Sequence, residues 1–266
     1  MSRQDVDKLW QRFTSVSRAR IALGRAGDAL PTQRLLDFAY AHASARDAVT
    51  ARVDFSALAE ELKPTRSVQV RSAASDRSTY LRRPDLGRVL ERECLARLPE
   101  GPFDAVFVIA DGLSASAVQA HAVSMYAAIA TLLPSWRLGP VVLAEQARVA
   151  LGDEIGERMS AAMVVVLIGE RPGLSVPNSL GIYLTYAPRV GRPDSERNCI
   201  SNIHADGLSY GAAAAKLEWL MRQARTLQLT GVALKEDAPA GDAGLELQKA
   251  VDSEPAKLPC SKPRVD

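Results

Sequence analysis

Between Val68 and Leu234, short runs of β-branched and aliphatic residues alternate with longer stretches of helical period. Val68–Ser72 reads as a strand, Asp85–Leu98 as a helix and Phe103–Ala110 as a buried strand. The Asp111-Gly112 turn then opens a helix that runs from about Ser114 to Leu133. Val141–Ala144 follows as a strand, Leu151–Met159 as a helix, and Met163–Ile168 and Gly181–Thr185 as two further strands, before a helix over Leu208–Leu227. Strands that are apolar throughout are covered on both faces, and intervening helices let successive strands run parallel. The expectation is an α/β fold: a Rossmann-like, mostly parallel sheet with helices on both faces, whose ligands gather at the carboxyl ends of the strands.

Upstream the period changes. Val6, Leu9, Trp10, Phe13, Val16 and Ile21 recur at steps of three and four, and Leu35, Leu36, Phe38, Ala39, His42 and Ala43 continue that period after Pro31. Either Thr32 caps the second of these helices or Pro31 sits in its first turn. Their apolar stripe packs on the chain's own core or on a partner, and the sequence leaves both open. Beyond Lys235 the chain turns to Ala, Pro, Gly, Glu and Lys, the composition of a flexible tail. The chain thus divides into a helical extension at 1–66, an α/β domain at 67–235 and a tail at 236–266.

At 266 residues, 47% of them apolar, the chain can bury a substantial core. A net charge of +2 and 5% aromatic residues argue against a nucleic-acid platform, which needs a basic field and stacking rings. Cys94, Cys199 and Cys260 are odd in number and widely spaced, as in reduced cytosolic thiols. The segment from Met1 to Leu23 mixes charges throughout, unlike a secretion signal, and no apolar run is long enough for a membrane span, so a cytoplasmic protein is expected.

The polar residues that carry chemistry cluster where strands end. Asp111 to Ser114 follows one strand and opens a helix, where free amides and the helix dipole favour an anion or an amide carbonyl; equally, Asp111 or Ser114 simply caps the helix. No Gly-x-Gly-x-x-Gly or phosphate-binding loop accompanies it. Gly169-Glu170-Arg171-Pro172-Gly173 follows another strand and reads either as a ligand loop or as a surface turn with a Glu–Arg pair. The segment from Arg189 to Ile203 reads as a partly buried loop whose Asn198 and Asn202 bond a ligand or their own backbone. Cys199 within it reads as an inert buried thiol. His42 and His121 fall on helices. Asn202-Ile-His204-Ala-Asp-Gly207 approaches Asp-x-His-x-x-Gly, with which some cobalamin proteins supply a cobalt ligand, but Asn replaces the Asp that would orient the ring.

Several of these motifs occur together in one order: Tyr80-Leu-Arg-Arg-Pro-Asp-Leu-Gly-Arg88, Asp111-Gly-Leu-Ser114, Ala150-Leu-Gly-Asp-Glu-Ile-Gly156, Ile168-Gly-Glu-Arg-Pro-Gly-Leu174, Tyr183-Leu-Thr-Tyr-Ala-Pro188 and Glu196-Arg-Asn-Cys-Ile-Ser-Asn202. In them the chain resembles the small subunit of ethanolamine ammonia-lyase, from about Asp76 to Leu234 and more loosely upstream.

That resemblance implies a large, TIM-barrel partner subunit that holds ethanolamine, and a hetero-oligomer in which the small subunit binds adenosylcobalamin at the interface. The positions matching the family's cofactor contacts are Val149, Glu170 and Cys199, to which the loop residues Asp111 and Ser114 are added. No catalytic residue and no metal ligand is expected on this chain: the cofactor keeps its own benzimidazole on cobalt, and the family usually has Arg where His204 stands. The subunit is expected to be active only with its partner. Enclosure in a bacterial microcompartment is left open, as are three other readings: a stand-alone nucleotide-dependent enzyme, a cobalamin carrier using His204, and a purely structural assembly subunit.

Overall fold

In a computed structural model, residues 10, 12–14, 16–17 and 19–235 are described. Val6, Leu9, Cys260 and the expected tail lie outside them.

In chain order the elements are α1 (Thr32–Thr50), α2 (Phe55–Glu61), β1 (Ser67–Arg71), α3 (Arg77–Arg82), β2 (Val106–Ala110), α4 (Ala115–Ala130), β3 (Val141–Glu145), α5 (Leu151–Arg158), β4 (Met163–Gly169), β5 (Leu180–Tyr186), β6 (Asn198–Ile203) and α6 (Tyr210–Leu227). They form a mixed α/β fold around one six-stranded sheet of order β1-β3-β2-β4-β5-β6. The first four strands in that order pair in parallel, and β5 and β6 add as antiparallel neighbours. Successive strand residues point to opposite faces. Phe107, Ile109, Leu143, Val165 and Leu167 therefore share one core with α4 and α6, while Val106, Val108, Val142, Val164 and Val166 share the other with Leu151 and Ile155 of α5. Burying each such side chain stabilises the fold by roughly 1.5–3 kcal/mol, which explains why the central strands read as unbroken apolar runs.

The chain leaves β2 toward β3 on one side and returns past it to β4 on the other. At such a reversal the connecting loops diverge, and a crevice opens between the carboxyl ends of β2 and β4.

The helix expected over Asp85–Leu98 does not form. A short helix, α3, precedes it, and the segment itself holds two 3-10 turns, Leu86–Arg88 and Arg92–Arg97. Backbone pairing won over helical period: Ala73 N donates to Val89 O at 2.8 Å and Glu91 N to Arg71 O at 3.0 Å, while Leu90 N donates to the Glu154 carboxylate at 2.7 Å. The expected loop over 189–203 is also corrected, because Asn198–Ile203 is the edge strand β6. Its inward side chains Ile200 and Ile203 are buried, whereas Cys199 is exposed and not the buried thiol expected. The strand expected from Phe103 begins at Val106. Pro31 occupies the N-cap of α1, and Thr32 is its first helical residue.

Helix α1 leaves Leu35, Leu36, Phe38 and Tyr40 exposed and buries only Ala48. Among the described residues its large apolar side chains stay exposed, and only its C-terminal turn, at Ala48, is buried.

Candidate functional site

A cleft of about 290 Å³ occupies the crevice between β2 and β4, lined by Tyr80, Gly112, Leu113, Arg148, Val149, Ile168, Gly169, Glu170, Arg171 and Tyr183. Two glycines make it. Gly112 has φ +56°, and a Cβ there would lie 2.3 Å from Gly169 O; a Cβ on Gly169 would lie 2.2 Å from Ser114 O. The two strand tips close on each other through the Leu113 N–H to Gly169 O hydrogen bond at 2.9 Å. Any side chain would force the backbones apart, so the floor of the cleft is main chain.

Asp111 sits behind this floor, 3% exposed. Its carboxylate accepts from Gln146 N at 3.0 Å and Ala147 N at 2.9 Å, and pairs with Arg77 at 3.2 Å. Burial pushes the carboxyl up to about 6 in spite of the pull of Arg77 and the two amides. Asp111 thereby fixes the loop after β3, which carries Arg148 and Val149 into the cleft. Ser114 is fully buried: its hydroxyl accepts from Ala117 N at 3.2 Å, capping α4, and donates to Pro177 O at 2.8 Å, tying α4 to the loop after Glu170.

Val149 and Glu170 both face the cleft. Glu170 anchors its own loop, accepting through Oε2 from Ser179 Oγ and, at 3.3 Å, from Asn202 N, while Glu170 N donates to Ser179 O at 2.9 Å. Its Oε1 bonds none of the described residues and stays available to a donor. Cys199 does not line the cleft itself. It pairs in register with Tyr183, which does. Burial raises the Tyr183 hydroxyl above the ordinary tyrosine range, so it remains a neutral donor or acceptor at the rim.

Tyr80 and Tyr183 open two of the family motifs, but neither they nor Arg148 were expected at the site. Tyr80 is fully buried, donates to Ala147 O at 3.1 Å, and lies under the Arg148 guanidinium at 4.3 Å. These partners are far apart in the chain, and nothing in a local pattern marks such a pair. Gly87, which packs against both Tyr80 and Arg148, was the nearest clue.

His204 lies apart from the cleft's lining. It is buried, with Nε2 against Asn202 Oδ1 at 2.8 Å and Nδ1 accepting from Asp206 N at 3.3 Å. Since the backbone amide can only donate, the neutral ring carries its proton on Nε2. His121 pairs with the Tyr210 hydroxyl at 2.6 Å, between α4 and α6. Arg197 and Asp153 form a buried bidentate pair beside β6, at 2.6 and 2.7 Å. Among the described residues no group of three or more His, Cys, Asp or Glu could hold a metal ion, and no helix is long and apolar enough to cross a membrane.

The family model for the ethanolamine ammonia-lyase light chain matches residues 7–235. The chain belongs to that family. It is 52% identical over 239 residues to the ethanolamine ammonia-lyase small subunit of Azotobacter vinelandii, covering 86% of this chain and 88% of the relative. The small subunit of Xanthomonas campestris is 53% identical with the same coverage, and that of Pseudomonas fluorescens 50% identical, covering 88% and 89%. As a light chain of this family it is a subunit of a lyase, and a small subunit implies a large one in a hetero-oligomer. The matched region contains every element described above from α1 to α6, and the whole cleft.

Proposed function

We propose that this light chain supplies one wall of an adenosylcobalamin site, shared with a barrel-type large subunit that holds ethanolamine. The observation that carries this reading is the convergence of Val149 from the loop after β3, Glu170 from the end of β4 and the registered Cys199–Tyr183 pair of β5 and β6 around one glycine-floored cleft at the sheet's switch point. The residues suit the cofactor. Val149, Leu113 and Ile168 offer an apolar surface to a flat ring system, the free Glu170 oxygen accepts from the N–H groups of corrin side-chain amides, and the glycine floor admits close approach.

When bound, the cofactor supplies the radical chemistry by which ethanolamine yields acetaldehyde and ammonia. This chain's part is to bind, orient and exclude water. Glu170, held from one side by Ser179 and Asn202, presents a fixed acceptor; Asp111 keeps the Val149 loop in place; no group here acts as acid or base on substrate, and turnover requires the large subunit.

The test is coexpression with the large subunit and spectral titration of adenosylcobalamin. Glu170→Ala weakens cofactor binding by about tenfold, the worth of one charge-assisted hydrogen bond, with little change in the ethanolamine KM at saturating cofactor. Unchanged cofactor affinity in both Glu170→Ala and a Val149→Asp variant removes this cleft from the site.

A further inference from the structure

Resting on the reading above, the geometry points to Arg148 as the residue that anchors the ligand's one anionic group, the phosphodiester of the cobalamin nucleotide loop. Among the described residues three guanidinium groups surround the cleft and its back wall, and they are treated differently. Arg77, behind the floor, is balanced by Asp111 at 3.2 Å and donates to Gly112 O at 2.8 Å. Arg171 is an exposed side chain at the rim. Arg148 is held rigidly: its backbone N–H donates to Gly87 O at 2.8 Å, and its guanidinium lies over the Tyr80 ring at 4.3 Å. Yet it pairs with no carboxylate among the described residues. Among those residues the guanidinium's one hydrogen bond, to Tyr80 O, is long at 3.5 Å, and its Nε is buried without a partner.

A cation that is fixed, partly desolvated and unmatched is costly in isolation. The two arginines of structural use are each matched by a buried carboxylate: Arg197 by both Asp153 oxygens, and Arg77 by Asp111 even though its Nη2 has no partner. Arg148 instead lines the cleft beside Val149 with a guanidinium that no acid among the described residues neutralises, a charge suited to a phosphate. Among the described residues the one carboxylate lining the cleft, Glu170, has one oxygen already engaged by Ser179 and Asn202. With two arginines against that one acid, the cleft favours an anion.

The experiment compares two ligands on the assembled large and small subunits: adenosylcobalamin, and adenosylcobinamide, which keeps the corrin and its amides but lacks the phosphodiester and nucleotide. Dissociation constants are measured by spectral titration or by competition for wild type, Arg148→Met, Arg148→Lys and Glu170→Gln. The expected result is a loss of about tenfold for adenosylcobalamin in Arg148→Met, partial recovery in Arg148→Lys, and under twofold change for adenosylcobinamide in both. Equal losses on the two ligands make Arg148 a packing residue for Tyr80 and overturn the proposal, as does no loss on either. If Arg148→Met fails to assemble, the lysine variant carries the same comparison. Glu170→Gln separates this outcome from failure of the underlying site: it weakens both ligands when the cleft holds the corrin amides, and neither when the cofactor binds elsewhere.

Discussion

Replacing Arg197 with Met removes one half of an ion pair whose two side chains are only 1% and 2% exposed. Met fills most of the vacated volume, so the main consequence is Asp153 buried with no cation and Thr185 Oγ1 and Arg192 O without the donors they now have at 3.0 and 2.8 Å. Breaking a buried pair from one side costs about 3–5 kcal/mol. At roughly 2–4 °C per kcal/mol for a chain of this size, the melting temperature falls by on the order of 10 °C. Burial already raises the Asp153 carboxyl above its ordinary range against the pull of Arg197. Without the guanidinium it rises further, the folded chain binds a proton that the unfolded chain has released, and the deficit shrinks as pH falls and widens as pH rises. Urea unfolding followed by circular dichroism at pH 5 and pH 8 measures this. A double variant, Asp153→Leu with Arg197→Met, buries no charge and recovers at least half of the loss. A single variant within about 1 kcal/mol of wild type, or a double variant no better than the single one, refutes the reasoning.

Gly169→Ala places a methyl group 2.2 Å from Ser114 O, a backbone atom that cannot rotate away. The strand tips must part, at a cost of about 1–3 kcal/mol or more, and cofactor affinity of the assembled enzyme should fall with stability; an unaltered melting curve contradicts the described closure. Asp111, with its carboxyl at about 6 against an ordinary 3.8, binds its proton more tightly folded than unfolded. Its contribution is therefore greatest below pH 4 and declines as pH rises through 6, by at most about 3 kcal/mol. The stability gap between wild type and Asp111→Asn should narrow over that window, and a gap that widens toward neutral pH argues against a raised carboxyl.

The parallel half of the sheet was legible because its strands are buried on both faces, leaving runs such as Val164-Val165-Val166 that have no other ready use in a chain of this length. The edge strand β6 was not. Only Ile200 and Ile203 of it turn inward, and Asn198, Cys199, Ser201 and Asn202 look like loop residues until the neighbouring β5 is known. The segment after α3 has a helical spacing of Val89, Leu90, Cys94 and Leu95, but its backbone meets Arg71 and Ala73, a partner no local window contains. In the cleft, Val149 came from family resemblance alone, with no local pattern marking it as special, whereas Glu170 was also marked by its place in the glycine-flanked loop after a strand. Asp111 and Ser114 were chosen for their place at a strand end, and both turn out to bond the protein's own framework. Arg148 escaped notice because its meaning depends on what it lacks, an acidic partner, and that shows only in three dimensions.

Under the proposed function, the shallowness of the crevice couples vitamin supply to quaternary structure. A hollow of about 290 Å³ cannot engulf a corrinoid, so most of such a ligand's surface must be covered by the other polypeptide. Two components that each cover part of a third are thermodynamically linked: whatever factor by which cofactor tightens the grip of light chain on heavy chain, the heavy chain tightens cofactor retention by the same factor. Scarcity of the coenzyme would then loosen the holoenzyme itself, and replenishment would draw dispersed subunits back together with no separate regulator.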